Sequence, residues 1–122
     1  MTDNTHIRAA IIGGAGFGGG EMIRLLLNHP YAELAWVHSR SHANAPLSEV
    51  HADLIGDTEL TFTDRYDWDI DVLFLCMGHG ESRKLLDTVE IPASVHIIDL
   101  SQDFRLGETA QGRSFVYGLP EW

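Results

Sequence analysis

A doubly wound α/β fold around a parallel sheet is what this sequence predicts, and three observations carry it. Short apolar runs alternate with segments of helical periodicity along most of the 122 residues. No hairpin signal separates consecutive apolar runs, so the strands need crossovers, and right-handed crossovers give a parallel sheet. Six glycines crowd into positions 13–20, between the first apolar run and the first helical pattern.

The elements follow in order. Residues 7–12 are an apolar run that ends abruptly at glycines, which predicts a buried strand. Residues 17–28 predict a helix: Glu21, Arg24 and Asn28 fall at i, i+3 and i+7, while Met22, Ile23, Leu25, Leu26 and Leu27 cover the rest. His29-Pro30 ends it, because proline disfavours the helical conformation in the residue before it. Residues 34–38 predict a second strand and residues 58–63 an alternating third. Residues 71–77 are the most apolar stretch, as expected of a central parallel strand covered on both faces. Residues 81–89 predict a helix that buries Leu85, Leu86 and Val89, and residues 95–100 a last buried strand. Residues 101–122 are polar loop material followed by an apolar, turn-rich end with no final helix, an expected boundary with a further domain. One domain, residues 1–122, is expected.

Composition narrows the function. Hydrophobic residues make up 44% and charged residues 21%, as in ordinary globular domains. The net charge of −10 speaks against a nucleic-acid partner, which requires a basic face, though not against a phosphorylated small ligand. No apolar run approaches the roughly 20 residues of a membrane span. With one cysteine and no signal-like N-terminus, the expected location is the cytoplasm. The seven histidines show no ligand spacing, so no metal site is expected.

The glycine cluster carries the chemistry. Gly13-Gly14-Ala15-Gly16-Phe17-Gly18-Gly19-Gly20 fits G-x-x-G-x-x-G at 13, 16 and 19, and also G-x-G-x-x-G at 14, 16 and 19. Either register supplies a glycine for a tight turn, one for close backbone approach to a diphosphate, and one for helix–strand packing. The helix N-terminus then faces the phosphates. The pattern stands at a strand-to-helix junction, the context that makes it specific for dinucleotides.

The end of the second strand selects the dinucleotide. NAD sites usually place a carboxylate there, on the ribose 2′-hydroxyl. Here His38-Ser39-Arg40-Ser41 follows, and Glu33 lies at the opposite end of the strand. Arg40 offers a fork of donors to a 2′-phosphate, and Ser39 and Ser41 add hydroxyls. The expected cofactor is NADP; the alternative is a permissive site with Arg40 a solvated loop residue.

These residues also resemble a known family. Residues 11–21, through the glycine cluster to Glu21, are similar to the I-x-G-A-S-G-Y-T-G-A-E opening of N-acetyl-γ-glutamyl-phosphate reductases. Leu26-Leu27-Asn28-His29-Pro30, Ser39-Arg40-Ser41 and Val50-His51-Ala52-Asp53-Leu54 resemble further segments of it. Phe74 to Gly80 is similar to F-L-A-L-P-H-G, Asp99 to Leu106 to D-L-S-A-D-F-R-L, and Tyr117 to Glu121 to Y-G-L-P-E. The resemblance implies NADPH-dependent reduction of the acyl phosphate N-acetylglutamyl phosphate to an aldehyde in arginine biosynthesis, through a cysteine thioester. It also implies that the nucleophilic cysteine and the histidine base lie beyond Trp122, that this chain alone is inactive, and that the full-length form is a homo-oligomer. Aminoadipate- and aspartate-semialdehyde dehydrogenases, or a stand-alone nucleotide sensor, remain the alternatives. Gly14, Gly18 and Gly20 depart from the family's Ala, Thr and Ala, and Gly78 from its proline.

The cofactor contacts expected on these grounds are Gly13, Gly14, Ala15, Gly16, Phe17, Gly18, Gly19, Ser39, Arg40, Ser41, Gly78, His79 and Ser101. His79 is otherwise a helix-start residue, and Ser101 a helix or turn cap. Asp103 and Arg105 form either a structural ion pair or part of a substrate pocket. Cys76, inside an apolar strand, is expected to pack rather than react. Glu21 with Arg24, and Arg83 with Asp87, are expected as helix-face pairs.

Overall fold

In the computed structural model, which describes residues 7–77, 81–100, 109–110 and 113–114, the first apolar run forms strand β1 (Ile7–Ile12). The glycine turn leads into helix α1 (Phe17–Leu27), capped by Asn28, whose side-chain Nδ2 donates to the Arg24 carbonyl at 2.8 Å. There follow β2 (Ala32–His38), a one-turn helix α2 (Leu47–Val50), a 3-10 turn (Ala52–Leu54) and β3 (Phe62–Thr63). Then come β4 (Val72–Leu75), α3 (Glu81–Thr88) and β5 (His96–Asp99). The strands pair in the order β3-β2-β1-β4-β5, and every pair is parallel.

The alternation of side chains along the strands splits the core into two layers. Ala10, Ile12, Trp36, Leu73 and Leu75 meet Leu85 and Leu86 of α3, with Ile91 and Val95. Ala9, Ile11, Leu34 and Val37 meet Ile23 and Leu26 of α1, with Leu47, Leu54 and Phe62. Burying each such aliphatic side chain is worth about 1.5–3 kcal/mol relative to exposure. Helices on both faces of a parallel sheet are the doubly wound arrangement expected. Among the described residues, no helix is long and apolar enough to cross a membrane.

Four expectations need correction. Residues 58–61 are not strand: Leu47 N–H donates to the Leu60 carbonyl and Phe62 N–H to the Ala45 carbonyl, with an antiparallel bridge between Pro46 and Thr61. The Leu60 carbonyl is taken up by Leu47 and the Leu60 N–H by the Thr58 hydroxyl, and only Phe62 and Thr63 join the sheet. Among the described residues β5 ends the sheet and is not buried, with His96 and Ile98 exposed, and Val72 and Phe74 of β4 are only half-buried. In the tail, β6 (Thr109–Ala110) and β7 (Arg113–Ser114) form an antiparallel pair where loop was expected.

Candidate functional site

The strand ends of a doubly wound sheet leave a crevice where its order reverses, between β1 and its neighbour β4. The residues above that point are the glycine turn and the exits of β2 and β4. Gly13 has φ +89°, the left-handed region, and a Cβ there would lie 2.8 Å from the Cys76 carbonyl oxygen. The tight-turn role therefore belongs to Gly13, which favours the register 13, 16 and 19. At Gly19 a Cβ would meet Gly13 O at 2.5 Å and Gly14 Cα at 2.6 Å, so helix and turn pack backbone to backbone. Gly16, the N-cap of α1, is open apart from Gly13 O at 4.0 Å. It leaves room for a ligand to approach.

The amides divide into two sets. Those of Gly13 and Gly14 both donate to the His38 carbonyl, each at 3.2 Å, which ties the turn to the end of β2. Among the described residues, no hydrogen bond engages the amides of Ala15, Gly16, Phe17 or Gly18. A helix N-terminus with free N–H groups attracts anions, through those donors and through its partial positive charge.

These groups border a cleft of about 500 Å³. Gly13, Ala15 and Gly16 line one side of it, His38, Ser39 and Arg40 another, and Cys76 and Met77 its floor. Glu81, Lys84, Leu85 and Thr88 of α3 close it. Phe17, Gly18 and Gly19 sit in the first turn of α1 and Gly14 in the glycine turn; Gly14, Gly18 and Gly19 adjoin the cleft without lining it. Ser41 is exposed, its hydroxyl 3.0 Å from His42 Nδ1. Gly78, His79 and Ser101 lie outside the described residues, as do Asp103 and Arg105.

Arg40 is exposed and forms no ion pair among the described residues. Glu33 is accounted for: it pairs with Arg8 at 3.0 Å, at the far end of β2. Ser39 is buried; its N–H donates to the Thr63 carbonyl at 3.0 Å. Burial, and then the charge of Arg40, lower the pKa of His38, so its ring faces the cleft neutral. Burial pushes the Cys76 thiol up to about 11, with Asp99 adding to the effect. A thiol raised in this way is a poor nucleophile at neutral pH.

Sequence reasoning missed three contributors. Tyr66 stacks on His38 with ring centroids 4.7 Å apart, and is itself backed by Trp68 at 5.3 Å. Trp36 holds that loop, donating from Nε1 to the Asp67 carbonyl at 2.8 Å. Lys84 adds a cation to the wall, one turn from Glu81. The third is His51, whose Nε2 lies 2.8 Å from the Gly14 carbonyl oxygen. A wider hollow of about 800 Å³, between Trp68 and residues 86–93, has Asp87 and Glu90 in its lining and no cation among the described residues.

The model of the family described as semialdehyde dehydrogenase, NAD binding domain, matches residues 8–122. The chain belongs to that family. As such it is a nicotinamide-dinucleotide-binding domain. It is similar to N-acetyl-gamma-glutamyl-phosphate reductases: 51% identical over 116 residues to that of Azobacteroides pseudotrichonymphae genomovar. CFP2. Those of Christiangramia forsetii and Bacteroides thetaiotaomicron are 49% and 47% identical over 115 and 116 residues. Each match covers 94% of this chain and 35–36% of the relative, so the domain spans about a third of their length. In fold it is similar to aspartate semialdehyde dehydrogenase with NADP from Candida albicans, at a TM-score of 0.63 and 14% identity, covering 83% of this chain and 31% of that one.

Proposed function

We propose that the domain binds NADP in this cleft, with the diphosphate at the start of α1 and the adenosine 2′-phosphate at Arg40. One observation carries the reading: amides of a helix N-terminus and a guanidinium, without partners among the described residues, open on the same space. The fit is physical. Gly16 leaves the approach clear, the volume is that of a ligand site, and the donors match two anionic groups of one molecule. Ser39 and Ser41 flank Arg40, while Gly13 and Gly19 shape the turn. Gly78, His79 and Ser101 belong to the site by resemblance.

The whole protein, on this reading, is a cytoplasmic reductase that converts N-acetylglutamyl phosphate to the semialdehyde, the activity named for its relatives. NADPH held here would supply the hydride. This chain's residues orient the dinucleotide and keep Cys76 protonated beneath it, so that the thiol does not compete as a nucleophile. Calorimetric titration with NADP and NAD tests the cofactor assignment. Tighter binding of NADP, lost selectively in Arg40→Ala, supports it; equal affinity for the two dinucleotides refutes it.

A further inference from the structure

We propose that His51 is a positioning residue for the glycine turn, one that aims the Ala15 N–H at the diphosphate. The inference rests on the dinucleotide reading. Because the Gly14 carbonyl can only accept, the His51 Nε2 at 2.8 Å carries the hydrogen and donates it. The chain contains no cis peptide bond among the described residues. In a trans peptide the N–H points opposite to the carbonyl. Holding the Gly14 carbonyl toward His51 therefore turns the Ala15 N–H away from it. Ala15 lines the cleft, and its amide has no partner among the described residues. The same contact keeps a carbonyl oxygen, which would repel a phosphate, from facing the ligand.

The local structure is built around this ring. His51 is 8% exposed, and its own N–H donates to the Leu47 carbonyl at 2.9 Å. Leu47 and Leu54, on either side, are buried in the α1 core layer. Two residues on, Asp53 takes both prongs of the Arg24 guanidinium, at 2.6 and 2.9 Å, tying the segment to α1. Gly20 makes the room: a Cβ there would lie 2.7 Å from His51 Cε1 and 2.9 Å from Nδ1.

The test compares wild type, His51→Leu and His51→Gln by titration with NADP, ADP and adenosine 2′-phosphate. Leucine fills the space without a donor, and glutamine offers an N–H at a similar reach. We expect His51→Leu to weaken NADP and ADP by about tenfold, the scale of one hydrogen bond to a charged group. Adenosine 2′-phosphate, which lacks a diphosphate, should bind unchanged, and His51→Gln should recover most of the loss. If His51→Leu does not fold, His51→Asn takes its place, since its shorter amide cannot reach the carbonyl. Unchanged NADP affinity in the donor-less variant overturns the inference while leaving the dinucleotide reading intact. So does equal loss of all three ligands, or a glutamine variant as weak as leucine. Failure of wild type to bind NADP removes both.

Discussion

The two ends of the cleft are built on different terms. At the glycine turn almost every neighbour is fixed: Gly13 and Gly14 amides on the His38 carbonyl, His51 on the Gly14 carbonyl, Gly19 against the turn's own backbone. At the exit of β2, Arg40 is exposed and unpaired among the described residues, and Ser41 is exposed beside it. A rigid end suits the diphosphate that every dinucleotide shares, since donors already in place cost no ordering on binding. A long, exposed cation suits the 2′-position, where NAD and NADP differ. Affinity and selectivity are thus separated along one groove.

Perturbing the rigid end should have the largest effect. In Gly19→Ala the new methyl meets main-chain atoms that no side-chain rotation can clear. We expect a loss of about 3 kcal/mol in urea unfolding, the upper part of the range for overpacking, together with loss of detectable binding of either dinucleotide. Wild-type affinity in this variant would mean that the turn is softer than its geometry. At the adaptable end, Arg40→Ala should weaken NADP by about tenfold or more, leave NAD within twofold and keep stability unchanged, because the side chain supports only the ligand. A parallel loss of NAD would show the two ends to be coupled.

Cys76, beneath the rigid end, sharpens the comparison. Its thiol, held near 11, should alkylate slowly with iodoacetamide at pH 8, and faster as pH rises toward that value. Bound NADP should slow it further. Fast labelling at neutral pH would place an activated thiol where we find a packed one. The smallest effect is expected from Asp53, whose carboxyl the Arg24 fork lowers to about 2. A depressed pKa adds stability above the ordinary carboxylate value of 3.8, and that contribution is lost as pH falls toward about 2. Asp53→Asn should therefore lower the melting temperature slightly at pH 7 and leave it unchanged near pH 2, flattening its fall across that window.

What was legible in the sequence follows the same division. The glycine turn, β1, α1 and the Ser39–Arg40 exit are written in local patterns, where apolar periodicity and glycine spacing act over a few residues. The segment that clamps the turn was not. Leu47, His51 and Leu54 recur at i, i+4 and i+7, but α2 is a single turn, and a buried histidine has no pattern that reveals its partner 37 residues away. Residues 58–61 alternate like a strand, yet their partner is the loop at 44–47, a long-range choice that periodicity does not encode. Tyr66 reached the cleft through packing on His38, likewise invisible locally. The alanines that the resembling reductases carry at positions 14 and 20 would meet the Val37 side chain and the His51 ring here.

The most direct test is an amide proton–nitrogen spectrum of the chain, titrated with NADP. The largest shifts should fall on the amides of Ala15 to Gly18 and of Ser39 to Ser41, with residues 89–93 unmoved. Shifts concentrated on residues 89–93, or a spectrum of folded protein that does not change, would contradict the site proposed here.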